Sequence, residues 1–124
     1  MASSDSQLPT WCGDGEWCPM VATSAVLGRK WHPVIVHRLL KHGTLRFGKL
    51  EDLIPEVSGK VLSESLTDLE EKGLVERTVT GGKPVRVEYS LTHHGRALEG
   101  AITELDQWGR RYLREAATPE ESII

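Results

Sequence analysis

The chain has 124 residues, 39% hydrophobic and 27% charged, a size and balance that suit one globular domain with a single core. No apolar run approaches the roughly 18 residues of a membrane span, and the opening MASSDSQLPT lacks the pattern of a secretory signal. A cytoplasmic protein without a membrane partner is therefore expected. Fifteen Lys and Arg against eighteen Asp and Glu leave a net charge of −3, which argues against polyanion binding driven by bulk charge but not against a local basic footprint.

Read in chain order, positions 1–11 form a tail, 12–115 one domain and 116–124 a second tail. Met20 to Leu27 reads as a short helix ended by Gly28. Pro33 suits a first helical turn, and Val34 to Leu40 continues that helix to His42-Gly43. Phe47, Leu50, Leu53 and Ile54 are spaced for a third short helix closed by Pro55. Ser58 is a natural N-cap for the next helix, which runs to Gly73 with Val61, Leu62, Leu66 and Leu69 as its apolar stripe. Beyond Gly73 the hydrophobic period drops to two. Leu74–Val79 and Val85–Leu91 read as strands around the glycine-rich turn Thr80-Gly81-Gly82-Lys83-Pro84. Thr92 then caps one long final helix carrying Leu98, Ala101, Ile102, Leu105, Trp108 and Tyr112.

A short helix, a tight turn and a second helix followed at once by a hairpin spell a helix-turn-helix with a wing. The expected fold is therefore α+β and mainly helical: a winged helix-turn-helix with a two-stranded wing and outer helices at both ends. In that arrangement the polar face of Ser58–Lys72 is a reading surface for a DNA major groove. Lys60 can donate to guanine or phosphate, Ser63 and Thr67 can donate or accept, and Glu64 can accept from a cytosine amino group. Ser58 and the helix N-terminus offer a phosphate site, and Arg46 and Lys49 precede them in a stretch, Gly28–Leu50, with six basic residues and no acidic one. Arg77, Lys83 and Arg86 bring positive charge to the wing. The stripe Leu98, Ile102, Leu105, Trp108 and Tyr112 is longer than a small winged core needs, which favours a homodimer able to match a two-fold site.

The same residues, in order, resemble the HxlR-type winged-helix transcription regulators, relatives of the MarR group. The resemblance rests on Cys18-Pro19, Leu27-Gly28-Arg29-Lys30-Trp31, Arg46-Phe47-Gly48-Lys49-Leu50 and Ser58-Gly59-Lys60-Val61-Leu62-Ser63. It continues through Leu69-Glu70-Glu71-Lys72-Gly73-Leu74-Val75, Val87-Glu88-Tyr89-Ser90-Leu91-Thr92, Gly95-Arg96 and Trp108-Gly109. It implies a homodimer, paired through N- and C-terminal dimerisation helices, that binds double-stranded DNA sequence-specifically at a palindromic operator, and a Cys18 that responds to oxidants or electrophiles as in some members. Two features depart from the family pattern: Pro33 stands where an ordinary helix former is usual, and Glu64 and Asp68 make the reading helix unusually acidic.

Cys12 and Cys18 are too few for a structural zinc site and their spacing is not CxxC. Three readings stand open for them: plain reduced thiols, a sensing Cys18 near basic side chains, or a Cys12–Cys18 disulfide switch. His32, His37 and His42 recur every five residues and so cannot share a helical face, which argues against a metal site. No nucleophile and base set, carboxylate pair or phosphate loop is present, so neither an enzyme nor a cofactor is expected. Two other functions compete with the DNA reading: a winged helix used for protein contact, and a small-molecule-gated regulator sensing through tryptophans such as Trp11 and Trp17.

Overall fold

A computed structural model describes residues 17–113. Helix α1, Pro19–Leu27, starts after Cys18 and has no buried residue; Met20 and Val21 face outward. Helix α2, His32–His42, carries Pro33 in its first turn and buries His32, Ile35, Val36 and Leu39. Pro33 thus initiates the helix, because its missing N–H is one that a first turn leaves unbonded anyway.

Next come strand β1, Leu45–Arg46, and helix α3, Phe47–Leu53. The turn from α3 is anchored by Ile54 and Val57, both buried. Helix α4, Gly59–Glu71, follows. Its inner face is Leu62, Ser65, Leu66 and Leu69. Val61, expected in that stripe, is instead 37% exposed, because the helix turns Ser65 inward and leaves Val61 at the edge. Each of the three buried leucines contributes roughly 1.5–3 kcal/mol of burial. Gly73, at φ 82, makes the sharp exit from α4 that a side chain would resist.

Strands β2, Val75–Thr80, and β3, Arg86–Leu91, form the hairpin. These two strands make the expected two-stranded wing, and β1 joins them in a three-stranded antiparallel sheet of order β1-β3-β2. Leu45 pairs with Tyr89 and Arg46 with Glu88, while β2 and β3 pair from Val75↔Leu91 to Thr80↔Arg86. β1 is two residues long, too short for any period to announce it.

The long final helix expected from Thr92 is broken into α5, His93–Arg96, and α6, Glu99–Tyr112. The break has a packing cause. Gly95 lies so close to the start of β2 that a Cβ there would sit 2.3 Å from the Leu74 carbonyl oxygen. With α5 pinned, the chain tightens through a Leu98 N–H to Gly95 carbonyl bond of 3.1 Å before α6 begins at Glu99. The core lies between α2, α3, α4, the base of the hairpin and Ile102 of α6.

Candidate nucleic-acid interface

Helix α4 keeps one face packed and the other open to solvent. Ser58 caps it by accepting from the Val61 N–H at 3.1 Å, which fixes where the first turn begins. Lys60, Ser63, Glu64 and Thr67 are all exposed, and their spacing gathers them on one face. The inner face is occupied by the core, so rotation of α4 would bury Lys60 or Glu64 and expose leucine. Asp68 is not part of the open face. It is only 20% exposed, receiving hydrogen bonds from Lys72 Nζ at 2.8 and 2.9 Å and from His32 Nε2 at 2.7 Å. The Lys72 bonds, then the His32 bond, hold its carboxyl down at about 2.

Helix α3 approaches the start of α4 at Gly59, and the basic residues around it are exposed. Arg46, the N-cap of α3, and Lys49 are exposed, as are Arg29, Lys30 and Lys41. Arg38 is spent internally: its Nε donates to the Leu53 carbonyl at 3.4 Å and a terminal nitrogen to His37 Nδ1 at 2.6 Å. At the start of α4, the Glu51 carboxylate reaches to 3.1 Å from where a Gly59 Cβ would stand. One side of the first turn that could receive a phosphate is thus already faced by a carboxylate.

The wing divides its charges. Directly paired residues share a face, so Arg77, opposite Tyr89, lies on the face that also carries Leu45 and Val75. Arg86, opposite Thr80, lies on the other face with Glu88 and Arg46. Lys83 is exposed at the tip, beside Gly82 at φ 114. The three basic residues grouped by sequence therefore form a split set rather than one patch.

The α6 stripe also divides. Ile102 is buried and Leu98 packs against the core. Leu105, Trp108 and Tyr112 are each more than half exposed, and the Trp108 and Tyr112 rings lie 5.5 Å apart. Beside them, Pro33, Val34, His37, Arg38, Ile102, Leu105 and Asp106 line an open cavity of about 240 Å³ between α2 and α6. His37 titrates below its ordinary value through burial and the Arg38 charge. Asp106, 2.8 Å from Arg110 Nε, is held low by that bond.

The family model for the HxlR-like helix-turn-helix matches residues 26–117. The chain belongs to the HxlR-like family. Among its relatives, the HTH-type transcriptional regulator YvaP of Bacillus subtilis (strain 168) is 40% identical over 79% of this chain and 91% of its own length. The HTH-type transcriptional regulator YodB of the same organism is 36% identical over 82% and 90%. Among solved structures, the redox regulator HypR in its oxidized form aligns with a TM-score of 0.72 at 34% identity, over 76% of this chain and 96% of that one. Reduced YodB aligns at 0.67 and 36%, over 83% and 100%. The protein is thus a transcriptional regulator of the HxlR and MarR type, a class that does not consist of enzymes.

In this HxlR-like chain Cys18 is 7% exposed, at the N-cap of α1. It is disulfide-bonded, so of the three cysteine readings the plain thiol is not the state seen. Cys12 and Trp11 lie outside the described residues, and Trp17 is half exposed. Among the described residues no cluster of His, Cys, Asp and Glu could hold a metal, and no helix is long and apolar enough to cross a membrane. Sequence reasoning missed the His32–Asp68 pair. His32 stood in a series examined for metal ligands, and the two residues are 36 positions apart.

Proposed function

We propose that the protein acts as a homodimer that reads a palindromic DNA operator with α4 and the wing, under redox or electrophile control through Cys18. The observation that carries the reading is the division of α4: a fully packed inner face and an outer face of Lys60, Ser63, Glu64 and Thr67 open to solvent. These four contact base edges, each good pair giving roughly 1–3 kcal/mol of discrimination. Arg46, Lys49 and Ser58 contact phosphates ahead of the helix, and Arg77, Lys83 and Arg86 contact the backbone or minor groove from the wing. The exposed Leu105, Trp108 and Tyr112 support pairing of two copies through α6, extending the packing begun by Leu98 and Ile102. Relatives described as a redox regulator and as a quinone-bound regulator support the control proposed for Cys18.

Selection of bound duplexes from a random DNA pool tests this, with the protein reduced and then mildly oxidised. The expected product is a palindrome with half-sites about one helical turn apart. Binding is expected to change on oxidation in the native protein and not in Cys18→Ser. Failure to enrich any sequence at low salt refutes the DNA reading and directs attention to a protein partner.

A further inference from the structure

His32 opens α2 and is fully buried. Its Nε2 donates to Asp68 on α4 at 2.7 Å, while its Nδ1 has no hydrogen-bond partner. A buried imidazole with one unsatisfied nitrogen carries a desolvation penalty that an apolar residue of similar bulk avoids. What the imidazole provides, and leucine does not, is a hydrogen bond to a carboxylate on the border of the reading face. Asp68 follows Thr67 directly and stands one turn beyond Glu64. Lys72 also bonds that carboxylate, but an i,i+4 pair near the surface is weak on its own. Without the anchor from α2, the Asp68 side chain is free to sample rotamers that turn it outward.

We propose that His32 is a positioning residue for DNA reading: it holds the Asp68 carboxylate inward, paired with Lys72 and away from the phosphate backbone. The inference rests on α4 being the DNA-reading helix. It accounts for the withdrawal of one of the two acids in the middle turns of α4, Asp68, while Glu64 stays exposed. Asp68 is hydrogen-bonded from two sides, by Lys72 and by His32, and Glu64 remains to select a base. The same bond joins the start of α2 to the side of α4, so the orientation of the reading helix and the disposal of its charge are set together.

The test is a double-mutant cycle on the full chain, using the palindrome selected by the native protein. Affinity is measured between about 50 and 200 mM salt, where each lost phosphate neutralisation flattens the logarithmic salt slope by about 0.9. His32→Leu is expected to bind about tenfold more weakly with a slope flatter by about that amount. His32→Gln, which keeps a donor near the Nε2 position, is expected to stay within about threefold of native. In an Asp68→Asn background, His32→Leu is expected to cost nothing further and to leave the slope unchanged. A simple loss of folded protein lowers the active fraction without changing that slope, so thermal melts of each variant separate the two effects.

The inference is overturned if His32→Leu costs the same with Asp68 and with Asn at that position, or if Gln fails as badly as Leu. Those results make the ring a packing element alone while leaving DNA reading by α4 intact. If the native protein selects no DNA, the reading of α4 and this inference fall together.

Discussion

Replacing Gly95 with alanine adds one methyl group at the point where α5 meets the start of β2. That methyl would lie 2.3 Å from the Leu74 carbonyl oxygen and 2.9 Å from Leu91 Cδ2. Backbone cannot yield as a flexible side chain does, so α5 must retreat. The retreat stretches the bonds that hold this corner: Thr92 N–H to Leu74 carbonyl at 3.0 Å, Thr92 hydroxyl to Gly73 carbonyl at 2.6 Å, and Gly95 N–H to Thr92 hydroxyl at 3.1 Å. Overpacking of this kind costs roughly 1–3 kcal/mol. Weakening one of those hydrogen bonds adds about 1 kcal/mol. Gly95→Ala is therefore expected to destabilise by about 2–4 kcal/mol in urea unfolding at constant m-value. The internal control is Gly100→Ala in the exposed first turn of α6, where an added Cβ meets nothing within 4 Å. There the same substitution is expected to stabilise by about 0.5–1 kcal/mol. A Gly95→Ala protein within about 0.5 kcal/mol of native refutes the packing account of the helix break.

The pH dependence of stability has a definite sign. Asp68 is depressed from 3.8 to about 2 in the folded state, so its contribution is fully present above about pH 4 and is lost as pH falls towards 2. Unfolding free energies from urea titrations between these limits are expected to fall more steeply for the native protein than for Asp68→Asn, by about 1 kcal/mol after solvent screening; parallel curves rule this out. Leu105→Asp, at a 56% exposed position, is expected to leave the fold within about 0.5 kcal/mol of native while shifting sedimentation to monomer. An unchanged sedimentation coefficient removes this face from the interface. Lys60→Glu is expected to abolish binding to the selected operator through charge reversal at the groove; retained affinity in gel shifts removes Lys60 from the reading face.

The winged helix-turn-helix was legible because its parts announce themselves locally. Ser58 caps, Gly73 exits at positive φ, and the alternation in Arg86–Leu91 survives as a strand. What escaped was decided by tertiary packing. Val61 is apolar but lies on the edge of α4, while Ser65, which no hydrophobic pattern would choose, is 6% exposed. The apolar spacing after Thr92 persists through Leu98, so nothing local signals that Gly95 is pressed against Leu74. Charge was legible as composition but not as arrangement. Counting made Arg38 a member of the basic footprint and Asp68 a liability on the reading face; geometry gives the first to Leu53 and His37, and the second to His32 and Lys72. The wing's basic residues were countable too, yet only strand register reveals that Arg77 and Arg86 face opposite ways.

Strand β1 is two residues long, but its pairing with β3 has a mechanical consequence. Leu45 and Arg46 lie just ahead of the helix-turn-helix, and their partners Tyr89 and Glu88 lie just beyond the wing tip. The chain leaves this seam, runs through α3, α4 and the hairpin, and returns to it, so everything proposed to touch DNA hangs from one stitched loop. Helix α2 packs against both α4 and β3, so it meets both of the elements proposed to read DNA. In the dimer proposed above, this seam is where both ends of the segment offered to DNA are tied together.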